Sequence, residues 1–194
     1  LDVGRDIYLV AQELLDALTQ AEYEAARRSS LNAHYTTPQI VTWMYDVLDR
    51  MGINSLNRLR VLDPSTGAGV FFGMMPPHLA ARAERIGVDL DSLSARITQQ
   101  LYQNAQIINN GYERASLPAN YFDLAITNVP FADNYMAVDP SIAKKYDFVK
   151  RSLHNYYFAK AEQQVRPGGV VAFITSRYTM DSPSAQRVRQ YLDQ

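Results

Sequence analysis

The 194-residue sequence contains no cysteine. That excludes disulfides, zinc–thiolate centres and thiol nucleophiles together. Histidine is nearly as scarce: His34, His78 and His154 lie far apart, none has a partner at ligand spacing, and no metal site is expected. Charge of one sign is missing too. Nineteen Lys and Arg stand against twenty Asp and Glu, net −1. This argues against a protein that binds nucleic acid by phosphate neutralisation alone, though it leaves room for a local basic patch. No apolar run approaches the ~18 residues of a membrane span. The first residues carry Asp2, Arg5 and Asp6 in place of a signal-peptide core, so no membrane partner and a cytoplasmic location are expected. What is abundant is apolar: 47% hydrophobic residues against 20% charged, the balance of a globular domain with a sizeable core.

That apolar content is patterned. Ile7, Val10, Ala11, Leu14, Leu15 and Leu18 share one helical face, so residues 1–32 read as a helical lead ahead of a core spanning 33–194. Thr37 before Pro38 reads as an N-cap with proline at N1, opening a helix over about 39–51. From residue 59 on, short apolar runs ("LRVLD", "RIGVDLD", "AQIINN", "YFDLAITN", "VVAFITS") alternate with helical stretches, and "RPGG" reads as the turn closing the helix before the last run. Near-continuously apolar strands alternating with helices predict an α/β fold: a doubly wound, mostly parallel sheet with helices on both faces. The only long loop runs from about 132 to 151, a length that is usually functional or mobile.

In such sheets ligands bind beyond the carboxyl ends of the strands, at the topological switch point. The first strand ends in Asp63, then Pro64 and a turn carrying Gly67 and Gly69, residues that let the backbone approach a ligand closely. No lysine follows the glycines, which excludes a Walker-type phosphate loop. Asp63 would repel phosphate and suits an ammonium or hydroxyl. The second strand ends in Asp89, placed to accept from both hydroxyls of a ribose. The third ends in "NNGYE", where Tyr112 would lie against an adenine with Asn110 or Glu113 at its edge. An amino-acid end, a ribose and an adenine at three successive strand ends describe S-adenosylmethionine. NAD requires a pyrophosphate site, and here the third glycine position is Phe72.

The fourth strand ends in Asn128-Val129-Pro130-Phe131. The lone pair of an amino group on a flat ring is delocalised and poorly nucleophilic. Acceptors on its two N–H bonds, the Asn128 side-chain oxygen and the Val129 carbonyl, favour a pyramidal nitrogen with a localised pair. Phe131 supplies a stacking face, worth ~1–3 kcal/mol for a base.

The order "HYTTP", "VLDPSTGAGVFF", "GVDLD", "NNGYE", "ITNVPF", "RPGGVVAFITS" resembles the DNA adenine-N6 amino-methyltransferases, and within them the methyltransferase segments of large helicase–methyltransferase proteins of phages and conjugative elements. The resemblance covers about residues 34–181. It implies a Rossmann-like methyltransferase core with S-adenosylmethionine as cofactor. Asp63, Pro64, Gly67 and Gly69 would hold the methionine end, Asp89 the ribose and Tyr112 the adenine. Tyr35, Thr36 and Thr37 would close over the cofactor. Asn128, Val129, Pro130 and Phe131 would form the catalytic pocket, with Asn128 also beside the cofactor. Two positions depart from the family pattern. Val129 stands where the motif usually has its first proline, and Gly111 where an acid often precedes the aromatic.

The closing strand hairpin of the fold family and a target-recognition segment are not found before Gln194, so the chain is expected to be the catalytic core of a longer protein. DNA would be its partner, chiefly through other regions, with Lys144, Lys145, Lys150 and Arg151 as local contacts. Other domains such as a helicase would accompany it, in a restriction-modification or mobile-element setting. Two other readings stay open: a protein glutamine N5-methyltransferase, since the same motif serves any planar amide nitrogen, and a catalytically degenerate scaffold.

Overall fold

The computed structural model describes residues 19–20, 22–24, 36–130 and 152–193. Most of the expected lead helix, Tyr35, Phe131 and the basic loop residues Lys144, Lys145, Lys150 and Arg151 lie outside the described residues. Five strands form one sheet among them: β1 (Leu59–Asp63), β2 (Ala83–Asp89), β3 (Ala105–Asn109), β4 (Phe122–Asn128) and β5 (Val165–Ile174). Every pairing is parallel and the order is β3-β2-β1-β4-β5. The chain winds outward from β1 to β3, then returns to the other side of β1. The switch point therefore lies between the carboxyl ends of β1 and β4.

The strand assignments follow from burial. Residues 122–127 of β4 are all buried, as expected of a central parallel strand covered on both faces. Leu59 and Val61 of β1 join a core cluster with α1 (Pro38–Arg50), α2 (Val70–Gly73) and α3 (Pro77–Ala80). Leu62 points into a second cluster with α5 (Leu153–Gln164). The helix α4 (Ser92–Leu101) links β2 to β3, and α6 (Tyr178–Asp181) and α7 (Gln186–Leu192) follow β5. Thr37 does precede α1 with Pro38 at N1, although its hydroxyl takes no part in the cap. Asp91 caps α4, its carboxylate accepting from the Ser94 amide at 2.8 Å. The Tyr45 hydroxyl donates to the Phe71 carbonyl at 2.7 Å and pins α1 to α2.

One expectation is corrected. The stretch "RPGG" is not a turn closing α5: it lies within β5. The register jumps there from Phe122↔Val165 to Leu124↔Val170, a bulge in the ladder. Gly168 adopts φ +77°, and a Cβ on Gly169 would come within 2.9 Å of the Asp123 carbonyl, so the β4 backbone leaves no room for a side chain.

At the amino ends of the strands the bulge carries an ion cluster. Asp123, 4% exposed, accepts from the Arg60 amide at 2.8 Å, from Arg60 Nε at 3.0 Å and Nη2 at 3.1 Å, and from Arg166 Nε. Burial by itself would raise the Asp123 carboxyl, but these donors outweigh it and hold it at about 2. Folding therefore gains from the ionised form. The gain is complete above the ordinary value near 4 and is lost as pH falls through about 2. Asp123→Ala should destabilise the chain at pH 7 by about 2–3 kcal/mol, the scale of hydrogen bonds to a charged group. Urea unfolding should find that difference shrinking below pH 4; a difference under ~0.5 kcal/mol at pH 7 would be within the range of ordinary surface substitutions and would contradict the role given to this cluster.

Candidate functional site

The site is assembled at the carboxyl ends of β1, β2 and β4. Asp63 closes β1 and is fully buried. Its Oδ1 accepts from the Thr127 hydroxyl at 2.7 Å and the Ser65 amide at 3.2 Å. Its Oδ2 is buried without a hydrogen-bond partner. Burial pushes the Asp63 carboxyl up to about 7; the Thr127 and Ser65 donors oppose that rise, and the charge of Asp89 adds to it. A buried carboxylate oxygen without a donor is costly, and this one is suited to a cationic or hydroxylic ligand group.

The glycine turn after β1 is held from three sides. Gly67 and Gly69 take φ +54° and +78°, a region that favours glycine. The Gly67 amide donates to Asp89 Oδ2 at 2.6 Å, and the Gly67 carbonyl accepts from the Thr98 hydroxyl of α4 at 2.6 Å. A Cβ on Gly69 would lie 2.4 Å from the Tyr102 ring. Thr66 donates through both its amide and its hydroxyl to the Val88 carbonyl, tying the turn to β2. Pro64 is buried at the start of this turn.

Asp89, half-buried at the end of β2, has a second bond: Oδ1 accepts from the Asp91 amide at 2.8 Å. Burial raises its carboxyl, partly offset by the Asp91 and Gly67 amides. Asp89 thus braces the glycine turn in addition to any ligand role. Asn128 ends β4, half-buried and in register with Ile174 of β5. The Val129 amide donates to the Ile174 carbonyl at 3.0 Å, and its side chain is fully buried. A proline there could not make that bond. The departure Val129 therefore extends the β4–β5 ladder by one step and keeps a backbone carbonyl in place. Pro130 follows, half-buried. Thr36 is half-buried and Thr37 exposed at the start of α1.

The structure departs from expectation at Tyr112. Its ring is 2% exposed, packed against Tyr157 (centroids 4.9 Å) and Tyr156 (6.1 Å), with Lys160 Nζ 4.7 Å from its centroid. The Tyr112 hydroxyl donates to Gln164 Oε1 at 2.6 Å, and Lys160 donates to the Tyr112 and Ala115 carbonyls. A tyrosine on an apolar strand end is drawn into the core when the next helix supplies a polar partner for its hydroxyl, as α5 does here. Beside Gly111 lies the Glu113 carboxylate, which would meet a Cβ at 2.3 Å but sits at the end of a flexible side chain. Glu113 follows Tyr112, and its Oε2 is buried without a hydrogen-bond partner.

Two residues escaped the sequence reading. Thr127 looks like any β-former in a strand, yet it joins Asp63 to the Asn128 strand. Tyr157 looks like helix filling, yet its ring packs against Tyr112 beyond β3, centroids 4.9 Å apart. Among the described residues no group of three His, Asp or Glu side chains could hold a metal, and no helix is long and apolar enough to cross a membrane.

Because Asp63 keeps its proton in the folded chain between pH 4 and 7, where the unfolded chain releases it, stability falls as pH rises through that window and stays reduced above 7. Asp63→Asn keeps an acceptor for Thr127 and cannot ionise. It should raise stability at pH 8 by on the order of 1–3 kcal/mol and flatten the pH profile. Thermal unfolding from pH 4 to 8 measures this; a variant no more stable than the parent at pH 8 would show that Asp63 is not held protonated by burial.

Comparison with protein-family models returns no match, and neither does comparison with curated protein sequences. Solved structures do match in fold. A protein from Listeria monocytogenes described as a class I S-adenosylmethionine-dependent methyltransferase superposes with TM-score 0.71 at 18% identity, covering 84% of this chain and 52% of its own. The type I restriction-modification methyltransferase subunit from Streptococcus thermophilus gives TM-score 0.68 at 13% identity, covering 81% of this chain and 38% of its own. A modification subunit assigned to a type I restriction enzyme from Vibrio vulnificus gives 0.65 at 17% identity, covering 97% and 42%. The chain thus spans about half or less of the length of these proteins, and it has the Rossmann-like fold of S-adenosylmethionine-dependent methyltransferases.

Proposed function

We propose that the chain binds S-adenosylmethionine across the ends of β1, β2 and β3 and transfers its methyl group to the exocyclic N6 amine of adenine in DNA, as the catalytic core of a larger protein. The observation that carries the cofactor reading is the partnerless Oδ2 of buried Asp63, beside a glycine turn locked by Asp89. An ammonium at that oxygen satisfies it and favours its ionised form. Glu113 Oε2 offers a second acceptor for the edge of a base. When bound, S-adenosylmethionine supplies an electrophilic methyl group on a sulfonium.

The chain's own groups then do the rest. The Asn128 side-chain oxygen and the Val129 carbonyl accept from the two N–H bonds of the target amine, which frees its lone pair for the methyl carbon. As the nitrogen becomes cationic these acceptors stabilise it electrostatically, with no base needed before attack. The register of Asn128 with Ile174 and the Val129–Ile174 bond fix this strand end against β5. DNA as the substrate draws support from the two restriction-modification structures of the same fold and from the order of motifs in the sequence. Lys144, Lys145, Lys150 and Arg151 are proposed as backbone contacts, Phe131 as the stacking face for a flipped base, and Tyr35, Thr36 and Thr37 as a cover over the cofactor.

Contacts made mainly in the transition state affect turnover more than ground-state binding. Asn128→Ala should leave cofactor affinity within about twofold of the parent while methyl transfer to an adenine-containing oligonucleotide falls ~100-fold or more. Calorimetry with S-adenosylhomocysteine and transfer of a radiolabelled methyl group measure the two. Unchanged transfer would remove Asn128 from the mechanism, and transfer to a glutamine-bearing peptide in place of the oligonucleotide would replace the substrate assignment.

A further inference from the structure

Thr98 lies in α4, 31 residues beyond Gly67, and is fully buried. A threonine inside a helix often turns its hydroxyl back to a carbonyl of the preceding turn. This one donates to the Gly67 carbonyl at 2.6 Å. Its other branch faces the same turn. A Cβ on Gly69 would lie 2.9 Å from Thr98 Cγ2 and 2.4 Å from the ring of Tyr102, one helical turn further on. Tyr102 is also edge-on to Phe72, centroids 6.2 Å apart, so this end of α4 packs on the glycine turn and on α2 after it. The Gly69 amide donates to the Thr66 carbonyl at 2.8 Å, which closes a β-turn over residues 66–69. Its central peptide joins Gly67 to Ala68. The direction of that peptide separates one turn type from another, and the closing bond does not hold it. The bond from the Gly67 amide to Asp89 fixes the peptide before it, and Thr98 fixes the central one.

We propose that Thr98 is a positioning residue for the cofactor: by holding the Gly67 carbonyl against α4 it turns the Ala68 N–H away from the helix, as a donor to the carboxylate of the ligand's amino-acid end. This rests on the cofactor reading above and adds to it the group that meets the anionic half of that end. The central peptide is trans, so its carbonyl and its N–H point in opposite directions. Ala68, at the tip of the turn, is exposed. The amino-acid end is a zwitterion. Asp63 Oδ2 suits its ammonium, but Asp63 and Asp89 both repel its carboxylate, which is best met by N–H donors. The Gly67 amide is already spent on Asp89 and the Gly69 amide on Thr66, which leaves Ala68 among the amides of residues 67–69. Without the Thr98 hydroxyl the central peptide can rotate. The Ala68 N–H is then presented in only a fraction of molecules, and apparent affinity falls by that fraction.

Calorimetric titration of the whole chain with S-adenosylhomocysteine and with its decarboxylated analogue tests this. Thr98→Val removes the hydroxyl and Thr98→Ser keeps it. Thr98→Val should bind S-adenosylhomocysteine about fivefold more weakly, the ratio that corresponds to one net hydrogen bond, and should bind the analogue as the parent does. Thr98→Ser should bind both as the parent does. If Thr98→Val fails to fold, as circular dichroism would reveal, Thr98→Ala, which favours the helix, decides in its place. If the parent binds S-adenosylhomocysteine and the analogue too weakly to measure, the carboxylate is shown to matter, and the loss in Thr98→Val with its rescue in Thr98→Ser decides. A threonine with a purely structural task would weaken both ligands alike or neither. Either result, an equal loss in Thr98→Ser, or a parent that binds the two ligands equally well would overturn the positioning role and leave the cofactor reading standing. No binding of S-adenosylhomocysteine by the parent would overturn the cofactor reading, and the positioning role with it.

Discussion

The arrangement depends on one buried contact, the hydrogen bond from the Thr127 hydroxyl to Asp63 Oδ1. It joins β4 to β1 where the order of the sheet reverses, and it does so inside the core, where both residues are fully buried. Everything placed at the site hangs from that junction. The glycine turn springs from Asp63, and Asn128 follows Thr127 directly. Because Thr127 satisfies only one of the two carboxylate oxygens, the same contact that fixes the geometry leaves an acceptor in a low-dielectric setting. A polar group left so is expensive for folding and useful for binding.

A second layer of constraint keeps the turn ready. Asp89 holds the Gly67 amide, Thr98 holds the Gly67 carbonyl, and Tyr102 lies against Gly69. These bonds come from β2 and from α4, so the turn is set by elements that carry no part of the β4 motif. Opposite it, Val129 extends the ladder to β5, and the bulge at 165–170 lets β5 reach both the ion cluster at one end of β4 and the motif at the other. The two halves of the site meet where β1 pairs with β4, at Asp63 and Thr127.

Much of this was legible in the sequence, and for physical reasons. The five strands announce themselves because parallel strands covered on both faces are mostly apolar, as "FDLAIT" is apart from Asp123 and Thr127. Asp63, Asp89 and Asn128 close β1, β2 and β4 where the strand patterns put them, with Gly67 and Gly69 in the turn after β1. What was not legible depended on partners distant in sequence. "RPGG" reads as a turn because proline and glycine usually break a ladder; here it lies within β5 as a bulge, with the Asp123 carbonyl of the neighbouring strand close to Gly169. Tyr112 reads as a ligand platform until Gln164, 52 residues on, takes its hydroxyl. Thr127 carries no local signal at all: its role exists only once β1 and β4 converge.

The central claim is that the crevice over Asp63 takes a ligand with a cationic end. Calorimetric titration of S-adenosylhomocysteine in two buffers of different ionisation enthalpy measures it most directly, because an ammonium meeting a carboxyl poised at about 7 must displace its proton. The account predicts saturable binding accompanied by proton release at pH 6 to 7, fading toward pH 9 and absent in Asp63→Asn. Binding with no proton release in the parent, or with the same release in Asp63→Asn, would contradict it, as would the absence of binding.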